Sequence, residues 1–214
     1  MSAVEIFLQT ERLLLRRFTP DDVDHLVRLD SDPAVMRYIT GGAPTSRQEI
    51  AEEHIPAYLR YYREYAGYGF WAVVERRTGE FIGWFHLRPG PAQPPDAPEL
   101  GYRFVRASWG QGFATEGSLA LIRKAFLELG ASRVNANTMV MNTASRRVME
   151  KAGLTQGRIF VGDWPVAIPG DEEGDVEYAA DRAEWLAWDA ARAAGSGGPD
   201  EGADRSVSAV SDGR

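Results

Sequence analysis

Residues 109–116 read WGQGFATE and lie between a segment of strand composition at 99–105 and a run of apolar residues with helical spacing. Glycine lets the backbone approach a ligand closely. The first N–H groups of a helix have no partner within the helix and point towards any anion placed there. The stretch therefore predicts a turn that binds an anion such as a pyrophosphate. A glycine-rich turn without a ligand explains this stretch alone equally well.

The same glycines also begin the dinucleotide-binding pattern GxGxxG, which is the main competing interpretation. The third glycine position falls on Thr115, where helix–strand packing requires glycine or alanine. The stretch follows several strand segments, and no acidic residue ends a second strand about 20 residues further on, as ribose binding demands. A nicotinamide-cofactor site is therefore excluded.

A second stretch, NTASRRVMEKAGL at 142–154, has the form of a helix with defined ends. Asn142 is suited to cap the helix, Ser145 lies in its first turn, and Gly153 suits its C-terminal end. The two polar side chains could serve only as capping groups, or they could take part in chemistry. Both interpretations predict the helix.

The rest of the chain alternates between strand and helix patterns. Helices are predicted to begin at 19–22, to cover 46–65, to run from 119 to a glycine at 130, and to cover 143–152. Strands are predicted at 13–18, 70–75, 81–87, 99–105, 134–140, 154–161 and 176–180, and the proline-rich 89–98 is predicted to be a loop. This alternation favours a sheet covered by helices.

Composition narrows the class of protein. The chain has 214 residues, no cysteine, 31 acidic against 24 basic residues and a formal net charge of −7. Disulfides and thiolate metal sites are excluded, nucleic acid is an unfavourable partner for an acidic chain, and no segment is long and apolar enough to span a membrane. His25, His54 and His86 lack the spacing of metal ligands, so no metal is expected. No secretory signal pattern is present, so we expect a cytoplasmic protein.

The distribution of residues along the chain predicts its domain limits. A chain of this size is expected to form one domain, here over 1–192. The tail at 193–214 is rich in Gly, Ser, Ala and Asp and has little to bury, so it is predicted to be disordered. Lysine occurs only at 124 and 151, and the preference for arginine, with abundant alanine and glycine, is typical of GC-rich bacterial genomes.

Taken together, the two stretches resemble the GNAT acetyltransferases. The shared order is strand, WGxGxATE, helix, strand, then NxxSxRVxEKxGL. The chain is most similar to the Rim-type ribosomal-protein N-terminal acetyltransferases, which share patterns like TERLLLR at 10–16, GW at 83–84 and ELGYR at 99–103. The wider superfamily has Arg or Gln where this chain has Trp109, whereas the Rim-type branch often has Trp. The resemblance spans residues 9–187.

This resemblance implies an α/β GNAT fold with a mixed, mostly antiparallel sheet of about seven strands, splayed between the fourth and fifth strands and flanked by about four helices. It implies acetyl-CoA as the cosubstrate and no metal. In the family, the glycine-rich loop holds the pyrophosphate of coenzyme A, and the fourth strand and an asparagine contact the pantetheine arm. These cofactor-binding positions fall here on Phe104, Val105, Gln111, Gly112, Phe113, Ala114, Thr115 and Asn142.

Acetyl transfer to an amine places three demands on the catalytic residues. A free alkyl amine has a pKa of about 10, so a base must remove a proton, and Glu99 is the candidate. The developing oxyanion needs a donor, which a backbone N–H near Arg103 or Phe104 could supply. The departing thiolate needs a proton, for which Ser145 is the candidate. Glu99 could instead be a solvated carboxylate and Ser145 a capping residue, while Glu116 is better suited to stabilise the positive end of its helix.

We therefore expect an N-acetyltransferase that moves an acetyl group from acetyl-CoA to a primary amine by direct attack in a ternary complex. The acceptor would be a protein N-terminus or a small-molecule amine, and the resemblance also implies a homodimer as an option. Five tyrosines around the second helix either pack there or wall the acceptor site: 58, 61, 62, 65 and 68. The alternative is an inactive module that binds or senses acetyl-CoA, which would have no need of Glu99.

Overall fold

The computed structural model describes residues 5–90, 96–162 and 167–195. Its strands are β1 Ile6–Gln9, β2 Leu13–Arg17, β3 Gly69–Glu75, β4 Phe81–Arg88, β5 Glu99–Phe104, β6 Arg133–Met139, β7 Thr155–Phe160 and β8 Asp175–Asp181. They form one open sheet in the order β1-β2-β3-β4-β5-β6-β8-β7. All neighbouring strands are antiparallel except β5 and β6, which are parallel. The mixed, mostly antiparallel α/β sheet is confirmed, with eight strands in place of about seven.

The helices are α1 Val23–Asp30, α2 Pro33–Met36, α3 Arg47–Glu49, α4 Ile55–Glu64, α5 Phe113–Leu127, α6 Thr143–Lys151 and α7 Arg182–Gly195. A π-helical segment, Ile50–His54, joins α3 to α4. Ser46 caps α3 by accepting a hydrogen bond from the N–H of Glu49, as the capping-box pattern predicts. Short 3-10 turns precede α1 and α5.

The sheet opens between β5 and β6. These strands are in register only at Glu99 and Asn135, where the Asn135 N–H donates to the Pro98 carbonyl at 3.0 Å. Beyond this point β5 stays paired with β4 and β6 stays paired with β8, so the C-terminal ends of the two parallel strands separate. This cleft is the splay that the resemblance implies, since β5 and β6 are the fourth and fifth strands predicted from the sequence.

The two faces of the sheet bury different cores. Successive strand residues point to opposite faces, so Phe85 in β4 joins the core under α5, whereas Trp84 joins the core under α1 and α4. Gly117 allows α5 to lie close to the sheet, because a Cβ there would be 2.3 Å from the Phe85 ring. The cleft is therefore bordered by two different faces of the sheet, one covered by α5 and the other by α1 and α4.

Three elements are not predicted from the sequence. Strand β1 is an edge strand of four residues with no alternating pattern, and α2 has a single turn. Helix α7 begins directly after β8 without a turn residue, and it runs past the predicted domain limit at 192. Residues 91–95 of the predicted loop, and 196–214 of the predicted tail, lie outside the described residues. The disordered tail therefore stays a prediction.

Candidate active site

The turn before α5 has the geometry of an anion site. Gly112 caps the helix with a φ of 80°, a left-handed conformation that favours glycine. The first hydrogen bond of the helix runs from the Glu116 N–H to the Gly112 carbonyl at 3.0 Å. Within the described part of the chain, no acceptor is bonded to the N–H groups of Phe113, Ala114 and Thr115. Three free N–H groups at a helix start favour a negatively charged ligand.

A cavity with a volume of about 670 Å³ lies beside this turn. Gly112 and Thr115 line it from α5, Arg12 lines it from the segment before β2, and Lys151 lines it from the end of α6. The carboxylates of Glu11 and Glu116 line the cavity as well, and Glu116 is paired with Arg12. The ammonium group of Lys151 therefore adds positive charge to that of the free N–H groups. This combination fits a phosphate-bearing ligand.

Glu116 fastens the N-terminal segment to the start of α5. Its carboxylate accepts hydrogen bonds from the Thr10 hydroxyl at 2.6 Å, the Arg12 N–H at 2.9 Å and the Arg12 Nε at 2.6 Å. Burial alone would raise the pKa of Glu116, but the hydrogen bonds from Thr10 and Arg12 together lower it below its ordinary value. Arg12 also donates to the Gln111 carbonyl at 2.9 Å. Glu116 thus holds the turn in place. The sequence predicts only that its charge stabilises the positive end of the helix.

Asn142 and Ser145 are both engaged at the start of α6. The Asn142 Oδ1 accepts from the Ser145 N–H at 3.2 Å, which confirms the predicted cap, and its Nδ2 donates to Thr138 at 3.0 Å. The Ser145 hydroxyl takes no part in the cap and lies 3.0 Å from the Tyr102 hydroxyl. Burial raises the pKa of Tyr102, so the phenol is protonated at neutral pH.

Tyr102 is a candidate that sequence reasoning missed. It lies in β5 on the face opposite to Glu99, and its hydroxyl also donates to the Ser145 carbonyl at 3.0 Å. The only sequence signal is its place in ELGYR, three residues after Glu99, which assigns the two side chains to opposite faces of a strand.

The free edge of β5 presents backbone groups to the cleft. The Val105 N–H donates to Ile82 in β4 at 3.0 Å, and the Val105 carbonyl accepts from the Ser108 N–H at 2.9 Å. Because the backbone groups of successive residues point alternately to the two sides of a strand, those of Phe104 and Tyr102 point towards β6. The Phe104 carbonyl is held by the Trp109 indole at 2.9 Å, and its N–H faces the cleft. The pantetheine contact expected at Val105 stays a prediction and would have to involve its side chain.

Glu99 lies where β5 and β6 begin to separate. Its side chain is 24% exposed, with its carboxylate 3.8 Å from the His86 Nε2 and 3.7 Å from an Arg88 Nη. No described residue donates a hydrogen bond to this carboxylate within normal distance, so it has free capacity to accept a proton or a hydrogen bond.

His86 is the second residue that sequence reasoning missed. Burial lowers its pKa well below the ordinary value of 6.5, and the nearby charges of Arg88 and Arg103 lower it further, so the ring is neutral. The ring lies over Gly101, where a Cβ would be 2.4 Å from the His86 Nε2. Without the strand register, nothing in the sequence places this histidine beside Glu99.

The structure thus divides the predicted residues into two groups. Gln111, Gly112, Phe113, Ala114 and Thr115 form the turn, and Phe104, Asn142 and Ser145 follow the cleft on the side of α5 and α6. Glu99 faces the side of α1 and α4. In the described ranges, no group of three or more His, Cys, Asp or Glu side chains is arranged to hold a metal ion, and no helix has the length and hydropathy of a membrane span.

Residues 12–155 match the family model described as acetyltransferase (GNAT) domain. The chain therefore belongs to the GNAT acetyltransferases, the class that its sheet, its cleft and its helix-start anion site define. Within that class it is an acetyl-CoA-dependent acetyltransferase, as its named relatives indicate.

Two curated relatives illustrate this membership. The FsC-acetyl coenzyme A-N(2)-transacetylase of Aspergillus fumigatus is 37% identical over 185 residues, which cover 84% of this chain and 77% of the relative. The uncharacterized N-acetyltransferase YoaA of Bacillus subtilis is 33% identical over 148 residues, which cover 68% of this chain and 81% of that protein.

Solved structures share the fold. RimL, a ribosomal L7/L12 alpha-N-protein acetyltransferase solved in complex with coenzyme A, has a TM-score of 0.69 and 21% identity, covering 84% of this chain and 99% of RimL. A probable acetyltransferase has a TM-score of 0.70 and 23% identity, and the match covers 86% of this chain and 99% of the chain of that structure.

Proposed function

We propose that the protein transfers the acetyl group of acetyl-CoA to a primary amine by direct attack in a ternary complex, with Glu99 as the base. The observation that carries this proposal is the position of Glu99. It lies at the point where β5 and β6 separate, on the side opposite to Tyr102 and Ser145, and no hydrogen bond occupies its carboxylate among the described residues.

The turn before α5 holds the cosubstrate in this proposal. The N–H groups of Phe113, Ala114 and Thr115 bind the pyrophosphate, while Lys151 neutralises further phosphate charge from the wall of the cavity. The cleft between β5 and β6 then admits the pantetheine arm, so that the thioester comes to lie beside β5.

The reacting groups divide between the two faces of β5. Glu99 accepts the proton of the attacking amine, directly or through a water, on one face. The Phe104 N–H, or that of Tyr102, donates to the developing oxyanion at the free edge of the strand. Ser145, hydrogen-bonded to the protonated Tyr102, donates a proton to the departing thiolate on the other face.

An amine acceptor is consistent with the names of relatives. One relative is named as an N(2)-transacetylase and one structural neighbour as an alpha-N-protein acetyltransferase. A small-molecule amine or a protein N-terminus would therefore suit the proposed chemistry.

The test is an acceptor screen with the full chain. Free thiol released from acetyl-CoA and the mass of the product are measured with a panel of peptides, amino acid derivatives, aminoglycosides and polyamines. We expect thiol release that depends on the acceptor, with a product heavier by one acetyl group. If acetyl-CoA raises the melting temperature but no amine is acetylated, the protein is an acetyl-CoA-binding module and the proposal fails.

A further inference from the structure

His86 is a buried polar side chain that has no role in the proposed reaction. Both of its ring nitrogens are buried, and neither has a hydrogen-bond partner among the described residues. Because roughly nine-tenths or more of buried polar groups in native proteins are hydrogen-bonded, the two atoms call for an explanation. An apolar residue would fill this place on the sheet without burying unpaired polar atoms.

The strand register makes His86 a diagonal neighbour of Glu99. His86 in β4 lies opposite Gly101 in β5, and Glu99 is two residues before Gly101, on the same face of the sheet. The His86 Nε2 is 3.8 Å from the Glu99 Oε1, and an Arg88 Nη is 3.7 Å from the Glu99 Oε2. The two carboxylate oxygens therefore face different neighbours.

Contacts on several sides fix the imidazole ring in place. The Phe70 ring meets it edge to face with the centroids 5.2 Å apart, and the Trp84 ring lies at 5.8 Å. Gly101 leaves the room that the imidazole occupies, since a Cβ there would be 2.4 Å from the His86 Nε2. The Glu99 side chain, in contrast, is 24% exposed. The imidazole is thus the fixed partner, and the carboxylate is the one that can move.

The fixed ring is a neutral hydrogen-bond donor. Burial lowers the pKa of His86 well below 6.5, and the charges of Arg88 and Arg103 lower it further. A neutral imidazole has one N–H, and the facing carboxylate favours the tautomer that carries it on Nε2. Arg88 already brings one positive charge, and a protonated ring would add a second, which would oppose the uptake of a proton by Glu99. A neutral ring can orient the carboxylate without this effect.

Resting on the proposed function, we propose that His86 is a positioning residue whose Nε2–H donates to the Glu99 carboxylate and holds it in the orientation that receives the proton of the amine. His86 keeps its own proton throughout. The distance of 3.8 Å is about 1 Å longer than an ordinary N–H···O hydrogen bond. Hydrogen bonds between catalytic groups are often long in the free enzyme and shorten when the substrate binds. A base that is itself oriented by a third group is a recurring arrangement in enzymes.

Substitutions of His86 separate positioning from packing. His86→Phe keeps a flat ring among aromatic neighbours but removes the N–H, whereas His86→Gln keeps N–H donors but packs less well. We expect kcat of the full chain with its best acceptor to fall by about 10- to 100-fold in His86→Phe, the range for a hydrogen bond to a charged group. In His86→Gln the fall should be no more than about fivefold. KM for the acceptor and Kd for acetyl-CoA should change little in both.

A packing role predicts the reverse order of these two variants, because phenylalanine is the better packed replacement. The melting temperature of each variant shows which replacement the fold tolerates better. His86→Leu is a second variant without a donor and should lose kcat as His86→Phe does, so the result does not depend on how phenylalanine fits.

A double-mutant cycle tests whether His86 acts through Glu99. Once Glu99→Gln has removed the base, His86 has nothing left to position, so adding His86→Phe should lower kcat by less than about threefold. Independent damage to the fold would instead multiply the two losses. His25→Phe is the matched control, because His25 also packs against a ring, that of Phe81 at 4.7 Å, but at the other end of β4. It should leave kcat unchanged.

The outcomes separate this inference from the proposed function. If His86→Phe keeps most of its kcat, or if its loss multiplies with that of Glu99→Gln, His86 has only a packing role and amine acetylation stands. If Glu99→Gln itself keeps most of its activity, His86 has no base to position, and the inference fails while acetylation stands. Acetylation of no amine in the acceptor panel would overturn the proposed function together with the inference.

Discussion

The two sides of the cleft differ in how far the protein satisfies its own polar groups. On the side of α5 and α6, Glu116, Asn142 and Ser145 are all hydrogen-bonded to other parts of the chain. On the side of α1 and α4, Glu99 and His86 lie 3.8 Å apart without a normal hydrogen bond, and buried donors surround them. On the first side these side chains are bonded before a ligand arrives, and the free donors are backbone N–H groups at the start of α5. On the second side the unpartnered donors are side chains.

This difference matches the ligands that the two sides would bind. Acetyl-CoA is the same molecule for every member of the family, so a rigid, internally bonded site suits it. The acceptor, in contrast, differs among members. Substitutions on the side of α5 and α6 should therefore reduce acetyl-CoA binding. Substitutions on the side of α1 and α4 should instead reduce turnover or change the choice of acceptor.

The largest effect is expected from Glu99→Gln. The substitution keeps size and hydrogen bonding but removes the base, so kcat should fall by about 10²–10⁴-fold. Glu177→Gln is the matched control, since Glu177 is a strand carboxylate of similar exposure, 3.4 Å from Arg158, in β8, which β6 separates from the cleft. If Glu99→Gln retains most of its activity at neutral pH, Glu99 is not the base and another group removes the proton.

Gly112→Val is expected to remove the cosubstrate site. A branched Cβ at a φ of 80° strains the turn and blocks the approach of a pyrophosphate to the helix start. Acetyl-CoA should then no longer raise the melting temperature. Gly79→Val is the matched control, because Gly79 has a φ of 74° with no atom within 4 Å of its Cβ position. A full ligand-dependent shift in Gly112→Val would refute the phosphate-turn assignment.

Glu116→Gln should have a smaller effect, on the stability of the fold at the side of α5 and α6. The charged hydrogen bonds to Thr10 and Arg12 would be lost, which we expect to lower the free energy of unfolding by about 1–3 kcal/mol. The pKa of Glu116 is lowered in the folded state, so its stabilisation is present above the ordinary value of 4.5 and is lost as the pH falls through the folded-state pKa. Denaturant unfolding at neutral and acidic pH should therefore show a difference between the two proteins that shrinks in acid. A constant difference would assign the effect to packing.

Ser145→Ala and Tyr102→Phe should have the smallest effects on turnover. A thiolate with a pKa of about 8.5 can take its proton from solvent, so each change should cost about 3- to 10-fold in kcat. The α6 cap should survive Ser145→Ala, because Asn142 accepts from the backbone N–H of that residue. A loss as large as that of Glu99→Gln would show that leaving-group protonation limits the rate.

Sequence reasoning was most successful where the chemistry is local. The turn at 109–116 and the helix after Asn142 could be predicted because capping and glycine conformation depend on neighbouring residues. The edge strand β1 and helix α7 were missed, since their formation depends on packing against distant elements, as with Trp185, which donates to the Ala152 carbonyl.

The arrangement on the side of α1 and α4 could not be predicted because it depends on strand register. His86 and Glu99 are 13 residues apart in the sequence, and only the pairing of β4 with β5 brings them together. Likewise, the role of Glu116 required the contact with Thr10, more than a hundred residues away. The residues around His86 in the sequence are mostly apolar, so they give no local signal that Glu99 lies beside it.

Calorimetric titration of acetyl-CoA into the unmodified protein, Glu99→Gln and Gly112→Val tests most directly whether the two sides of the cleft act separately. If the two sides of the cleft act separately, Glu99→Gln should bind acetyl-CoA with a Kd within about twofold of the unmodified protein, although its turnover collapses. Gly112→Val should show no measurable binding. Loss of acetyl-CoA affinity in Glu99→Gln in proportion to its loss of turnover would contradict the division.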